Sequence, residues 1–289
     1  QLFSPLQDSL AERGGLDPRV ESLPTARQLQ ELQRAGLGYS RPELAVLLAY
    51  VKMGLYRRLL ETDLPEEPHF RHYLVDYFPP VLFERFPERL LNHSLRREIT
   101  ATQFTNRVVD ILGISYVHRL IRDTGASPVE VIRASLIALE LIRGDDFIRA
   151  VFDLDNRVPA DLQYRLLGEM TAAVDGLVQW IILSGLSRVP VAEFVETYQA
   201  PLQQLQQALP DSLTGEPAER FRAMAEEFTA LGVPADLAVT AATFDYLPAS
   251  VGAIEVSRAS GLGLLQAAGH FYAIGERLSL GWLRDSLSE

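Results

Sequence analysis

Apolar residues recur every three or four positions along most of this chain, the spacing that lines one face of an α-helix. The plainest stretch follows Ser40-Arg41-Pro42-Glu43. There a serine hydroxyl and a glutamate three residues later can satisfy orphan N–H groups at a helix start. Behind it Leu44, Leu47, Leu48, Val51, Leu55 and Leu59 predict one helix over 41–61. Ser127-Pro128-Val129-Glu130 repeats the start signal ahead of Val131, Ile132, Leu136 and Leu139, and Gly144 is a natural stop. The same reading predicts helices from Ser94 to Gly113, a shorter one to Gly125, and a long one over 160–184 opened by Pro159. Further helices are predicted at 25–35, 66–77, 81–91, 145–153, 190–208, 217–231, 235–246, 249–259 and 262–285. Alternating β-branched runs are few, and no Asn-Gly or Asp-Gly hairpin signal occurs. The expected fold is all-α: an irregular multi-helix bundle of roughly a dozen helices without a significant β-sheet.

Two turn clusters are candidate seams. Residues 13–24 hold Gly14, Gly15, Pro18 and Pro24, and 209–217 hold Pro210, Asp211, Gly215 and Pro217. They suggest an N-terminal arm over 1–38 and a helical domain over 39–289, with a subdivision near 209–217. Val158-Pro159-Ala160-Asp161-Leu162 recurs as Val233-Pro234-Ala235-Asp236-Leu237. Proline in the first turn and an acid near the positive end suit any helix start, so the repeat needs no duplication to explain it.

Composition narrows the chemistry. The 289 residues, 47% of them hydrophobic, are enough for a real core. The net charge is −11, and every basic residue except Lys52 is an arginine. Residues 1–160 carry a net of −2 and residues 161–289 a net of −9. An acidic chain lacks the basic footprint that nucleic acid or an anionic membrane requires. Without cysteine there is no disulfide, thiolate ligand or thiol nucleophile. The contiguous apolar run at Trp180-Ile181-Ile182-Leu183 is far shorter than a membrane span. The start, Gln1-Leu2-Phe3-Ser4-Pro5, has neither an initiator Met nor a basic leader, and a longer parent chain is expected.

No catalytic motif is complete. Gly261-Leu262-Gly263 opens like a dinucleotide loop, but Gln266 takes the place of its third glycine and no strand precedes it; Gly36-Leu37-Gly38 fails in the same way at Arg41. Asp153, Asp155 and Asn156 resemble a calcium loop until position six is Val158 and position twelve Tyr164. Asp155 and Asn156 are therefore expected in a polar turn, capping N–H groups of the helix that follows. His69 and His72 share one face of a predicted helix, which is more simply a solvated face than a metal site. The densest polar cluster is Arg96, Arg97 and Glu98 with Thr100, Thr102, Thr105 and Asn106. It suits an arginine–carboxylate and hydroxyl network between helices, with an anion or effector site as the alternative.

Several runs resemble a known family in one order: Arg41-Pro42-Glu43-Leu44-Ala45-Val46-Leu47-Leu48-Ala49-Tyr50, Ser94-Leu95-Arg96-Arg97-Glu98-Ile99-Thr100-Ala101-Thr102, Thr124-Gly125-Ala126 and Leu154-Asp155-Asn156-Arg157-Val158-Pro159-Ala160. Gly232-Val233-Pro234 and the ending Ile274-Gly275-Glu276-Arg277-Leu278-Ser279-Leu280-Gly281-Trp282-Leu283 continue it. The family is the large bacterial NAD-specific glutamate dehydrogenases, and the part resembled, from about Tyr39 onward, is their C-terminal helical region. Residues 1–38 would then be the connection from an upstream catalytic domain.

The resemblance implies a parent that converts L-glutamate and water to 2-oxoglutarate and ammonia while passing hydride to NAD. Its catalytic lysines, aspartate and Rossmann-type domain would lie upstream of Gln1, so no catalytic, cofactor-binding or metal residue carries over. NAD belongs to the parent and no cofactor to this segment. The expected role is a non-catalytic module, inactive alone, that supports domain and subunit contacts in a cytoplasmic oligomer of amino-acid catabolism and tunes activity. Its partners would be the catalytic domain of the same polypeptide and further copies of the parent, with neither nucleic acid nor membrane. Arg96, Arg97 and Arg133 are candidate docking residues. An effector-sensing module and a free-standing helical interaction protein are the alternatives.

Overall fold

Helix starts sit where the sequence places their capping chemistry. In the computed structural model, which describes residues 3–12 and 15–277, the Ser40 N–H donates to the Glu43 carboxylate at 2.5 Å. At the second signal the Ser127 N–H donates to Glu130 at 2.9 Å, and the Glu130 N–H to the Ser127 hydroxyl at 3.2 Å. A third reciprocal cap, Thr25 with Gln28, opens the helix expected at 25–35. The described residues are helical nearly throughout and contain no strand, so the all-α reading holds.

The chain forms two compact units, residues 1–133 and 134–289. The first holds α1 (Phe3–Glu12), α2 (Ala26–Arg34), α3 (Arg41–Leu60), two 3-10 turns (Leu64–Glu66, Pro68–Arg71), α4 (His72–Tyr77), α5 (Pro80–Arg85), α6 (Pro87–Leu91), α7 (Arg96–Leu112) and α8 (Tyr116–Thr124). Helix α9 (Pro128–Leu141) carries the chain across the division. The second unit adds α10 (Gly144–Phe152), α11 (Ala160–Leu183), α12 (Val191–Ser212), α13 (Gly215–Ala230), α14 (Ala235–Thr243), α15 (Leu247–Ser260) and α16 (Leu264–Arg277).

In the first unit α7 packs against α3 and α4. Phe104, fully buried, meets Phe70 and Tyr73 edge-on at 5.5 and 5.2 Å between ring centroids. Helix α1, absent from the sequence reading, packs on α3. Its buried Gln7 donates to the Pro24 carbonyl and accepts from the Tyr39 hydroxyl, each at 3.0 Å. The Gly- and Pro-rich stretch after α1 is not a free linker, because Leu16 and Leu23 are buried in a cluster with Leu47 of α3. In the second unit α15 packs against α11, α12 and α16. Two glycines allow the close approach: a methyl on Gly176 of α11 would lie 2.7 Å from the Pro248 ring, and one on Gly252 of α15 would lie 2.7 Å from the Phe271 ring.

Four boundaries differ from expectation, each for a local reason. The helix expected at 66–77 is two 3-10 turns and then α4, with Pro65 and Pro68 at their starts. The one expected at 81–91 breaks at Phe86 (φ −138°), the residue that Pro87 forces out of the helical region. Helix α12 runs through Pro201 and Pro210, either of which costs about 3 kcal/mol in a helix interior. It continues because Leu202, Leu205 and Leu209 are buried on one face, each contributing about 1.5–3 kcal/mol. The helix expected over 235–246 tightens into a 3-10 turn at Phe244–Tyr246. Of the helix expected over 262–285 and the motif ending at Leu283, residues 278–289 lie outside the described ones, as do 13 and 14.

Both copies of the Val-Pro-Ala-Asp-Leu motif open helices, α11 and α14, with the valine and leucine buried in each case. By length and composition alone, Ala160–Leu183 and Ala235–Ser260 could cross a membrane, which the short run near Trp180 does not suggest. The second of these is interrupted by the 3-10 turn and 67% buried. Helix α11 is 39% buried over its apolar window, with Leu166, Met170, Val174, Leu177, Val178 and Ile181 among its buried residues.

The glycine notch makes a sharp test on one helix. Gly176→Ala is expected to cost about 1–3 kcal/mol through overpacking against Pro248. Gly168→Ala, on the same helix with nothing within 4 Å, is expected to gain about 0.5–1 kcal/mol. Urea unfolding of the two variants checks the opposite signs.

Candidate functional site

Two arginines begin α7, where the helix dipole disfavours positive charge. Neither has an acid three or four residues along its own helix, and Glu98 is too near in sequence to face them. Their partner comes from elsewhere. Glu66, in the first 3-10 turn, accepts from Arg96 Nη2 at 2.8 Å through Oε1 and from Arg97 Nη1 at 2.7 Å through Oε2. The Arg97 hydrogen bond is the main reason that the Glu66 carboxyl lies below its ordinary value. Arg97 Nη2 also donates to the carbonyls of Leu60 (3.2 Å) and Thr62 (2.8 Å). One guanidinium thus fastens the end of α3, the turn after it and the start of α7.

Two hydroxyls of the same helix bond back to its own carbonyls. Thr105 is buried and donates to the Ala101 carbonyl at 2.8 Å, and Thr102 donates to the Glu98 carbonyl at 2.8 Å. These bonds back to the preceding turn direct both hydroxyl protons at the helix itself. Glu98 is half-buried and stands apart from the Glu66 pair. Further along α7, burial pulls Arg107 below its ordinary value and interaction with Tyr73 opposes the shift. Arg133, at the edge of the first unit, is likewise lowered by burial and opposed by the charge of Glu67. Arg96 and Arg97 are therefore brought together on Glu66, while the charge that acts on Arg133 is that of Glu67.

Asp155 and Asn156 lie in the second unit, in the turn between α10 and α11. Asn156 has φ 62°, a left-handed conformation that asparagine tolerates better than most residues. The turn closes through backbone bonds: Asp155 N–H to the Phe152 carbonyl at 2.9 Å and Arg157 N–H to the Leu154 carbonyl at 2.8 Å. His69 lies in a 3-10 turn and His72 begins α4, where its ring tilts over Tyr73 at 4.4 Å. Among the described residues no group of three or more His, Cys, Asp and Glu is placed to hold a metal ion.

Two other features are invisible to motif reading. A cavity of about 270 Å³ lies in the first unit among α1, α3 and α8. Val51, Leu55, Val117 and Ile121 are among its apolar lining, with Arg57 and His118 also on its wall. In the second unit Glu169 of α11 is raised by burial first and by the charge of Asp245 second, with Arg165 opposing. Arg165 itself pairs with Glu227 at 2.7 Å.

Over residues 36–289 the chain matches the family described as glutamate dehydrogenase, C-terminal. It is 32% identical over 276 residues to the NAD-specific glutamate dehydrogenase of Halomonas elongata, covering 95% of this chain and 17% of that protein. It is 31% identical over 286 residues to the enzyme of the same name from Pseudomonas aeruginosa, covering 99% and 18%. Against the one from Mycobacterium tuberculosis it is 30% identical over 280 residues, covering 97% and 17%. The chain thus spans 17–18% of the length of these relatives.

Two stability tests follow from the charges. Arg97→Ala is expected to cost about 1–2 kcal/mol, because charge-assisted bonds to Glu66 and to the Leu60 and Thr62 carbonyls go together. Arg96→Ala, which removes one bond from a more exposed side chain, should cost less than about 1 kcal/mol; chemical denaturation ranks the two. Glu169 has a folded-state value raised above its unfolded one, so its penalty is absent well below pH 4.5 and sets in as pH rises through the folded value. Glu169→Gln should therefore melt higher than the parent at pH 7 and alike near pH 4.

Proposed function

The chain belongs to the C-terminal domain family of the glutamate dehydrogenases, and from that membership we propose that it is the non-catalytic helical companion of an NAD-specific glutamate dehydrogenase. It acts by supporting the catalytic region of the same polypeptide, and through it the enzyme's oligomer. The parent reaction is L-glutamate with NAD and water giving 2-oxoglutarate, ammonia and NADH. The observation that carries the reading is the pairing of near-complete coverage of this chain with coverage of only 17–18% of its relatives.

The residues support it. A dinucleotide pyrophosphate is cradled where a strand turns into a helix N-terminus, and the described residues contain no strand. Glutamate dehydrogenation in the family uses lysine, and Lys52 is the sole lysine here. Its ammonium lies 2.7 Å from the Asp110 carboxylate, tying α3 to α7. It works as a strut between helices.

One observation favours a second role for the same domain. The cavity among α1, α3 and α8 combines apolar walls with Arg57 and His118, a setting suited to a small amphipathic acid. In this reading the domain senses an effector and shifts the activity of the catalytic region.

Glutamate-dependent NADH formation tests the proposal. The polypeptide of full length is expected to reduce NAD and to lose most of that activity when residues 36–289 are removed, while this chain alone produces no NADH. Turnover by this chain alone would sink the proposal. Calorimetric titration of the same samples with amino acids and nucleotides separates the two roles, and silence across the panel leaves the supporting one.

A further inference from the structure

A helix of five or six residues does not persist in water by its own hydrogen bonds, because nucleation is costly and a stretch below about 12–15 residues is marginal. Such a helix holds its shape by burying a face. Helices α5 and α6, six and five residues long, bury no residue at all. The exposed stretch is wider than these two helices: from Val75 to Ile99 not one residue is buried. Eleven of those 25 residues are Val, Leu, Ile, Phe or Tyr. Tyr77, Val81, Leu82, Phe86 and Leu95 stand 38–52% exposed.

The arm is nevertheless shaped. Tyr77 meets Phe78 edge-on at 5.1 Å, Phe78 lies 5.7 Å from the His93 ring, and the Leu95 N–H donates to His93 Nδ1 at 3.1 Å. The Arg89 guanidinium sits 5.8 Å over the Phe86 ring. Helices α5 and α6 pack on each other and on α4. Several large apolar side chains, exposed within one short stretch that these contacts hold in shape, mark a place where another protein surface lies.

We propose that this arm, Tyr77–Leu95, is the surface by which the chain docks onto the remainder of its own polypeptide. The inference rests on the proposed function, since it requires that remainder to exist. The relatives are more than five times as long as the part matched here, so most of such a polypeptide lies outside these residues. A tethered neighbour is present at an effective concentration of about millimolar, which a free second copy does not match. Charge agrees with an apolar partner. Glu84 and Glu88 balance Arg85 and Arg89 within the arm, so nothing in it selects a charged surface. The complementary surface is therefore apolar and near neutral, the chemistry of a domain interface rather than of a phosphate or an acidic peptide.

Photo-cross-linking in the full-length polypeptide tests this. With p-benzoylphenylalanine at Phe86, irradiation is expected to give a cross-link into sequence outside residues 1–289 of the same polypeptide, without doubling its mass. The same probe at Tyr164, an exposed aromatic on α11, is expected to give none. In the same polypeptide Val81→Glu with Phe86→Glu should lower the melting temperature and release glutamate-dependent activity more readily on warming, whereas Tyr164→Glu should change neither. A cross-link doubling the mass would assign the arm to a second copy and overturn the proposal. So would one into residues 134–289, or no cross-link with melting unchanged. The two readings fail separately. Full activity after removal of residues 36–289 sinks the supporting role, while a normal Val81→Glu/Phe86→Glu enzyme that still needs those residues sinks only the docking arm.

Discussion

Short helices need tertiary burial to exist, and that constraint organises this chain. Eight of the described helices have ten residues or fewer, below the length at which a helix is stable alone. Helix α8 meets the requirement by burying Tyr116, Val117 and Leu120, and α14 by burying Leu237, Ala238, Ala241 and Ala242. Around α15 the requirement is strong enough to set the sequence at single atoms. Helix α11 meets the Pro248 ring of α15 at Gly176, and α15 meets the Phe271 ring of α16 at Gly252, each too close for a methyl group without a shift, so both helices keep the weaker helix former there. Against that background α5 and α6 are the exception in the first unit.

What the sequence made legible was whatever is local. A capping box involves four residues, so Ser40 with Glu43 and Ser127 with Glu130 announce their helices, and the structure forms the bonds expected. Gly125, left-handed at φ 72°, ends α8 where the reading placed a stop. Prolines were read less well, because their effect depends on context. Pro87 breaks a helix that has no buried face to hold it together, whereas Pro201 and Pro210 do not break one whose leucines are buried. Periodicity says that one face of a helix prefers an apolar neighbour, but not which neighbour. That is why 81–91 read as an ordinary amphipathic helix and is instead two exposed ones.

The arginine cluster shows the same limit at the level of chemistry. Arg96 and Arg97 were readable, with Glu98, as part of an arginine–carboxylate network between helices. Glu66 could not be chosen over Glu61, Asp63 or Glu67, because that choice depends on how the 3-10 turn after α3 lies against α7. Only the folded chain makes one carboxylate bridge two guanidinium groups. Helix α9 is the parallel case for domain organisation. Its sequence is one continuous capped helix, and nothing local at Arg133 shows that the two units divide there.

That division changes the meaning of the charge. Split at residue 160, the net charge reads −2 and −9. Split where the units part, residues 1–133 carry 17 basic and 17 acidic side chains, and residues 134–289 carry 10 and 21. The whole excess of −11 therefore belongs to one unit, and the other is neutral. A surface with high charge of one sign resists association with its like and stays well solvated, whereas a neutral one is free to lose water to an apolar partner. The exposed arm lies in the neutral unit, and its own charges cancel. Removing its water would strand no unbalanced charge in a low-dielectric interface, the main cost that makes charged surfaces poor interface cores. If the acidic unit carried the arm, its unbalanced carboxylates would add a desolvation cost to every contact the apolar residues favour. The neutral charge of residues 1–133 and the exposure of Phe86 and its neighbours thus favour the same reading, an apolar docking surface in that unit.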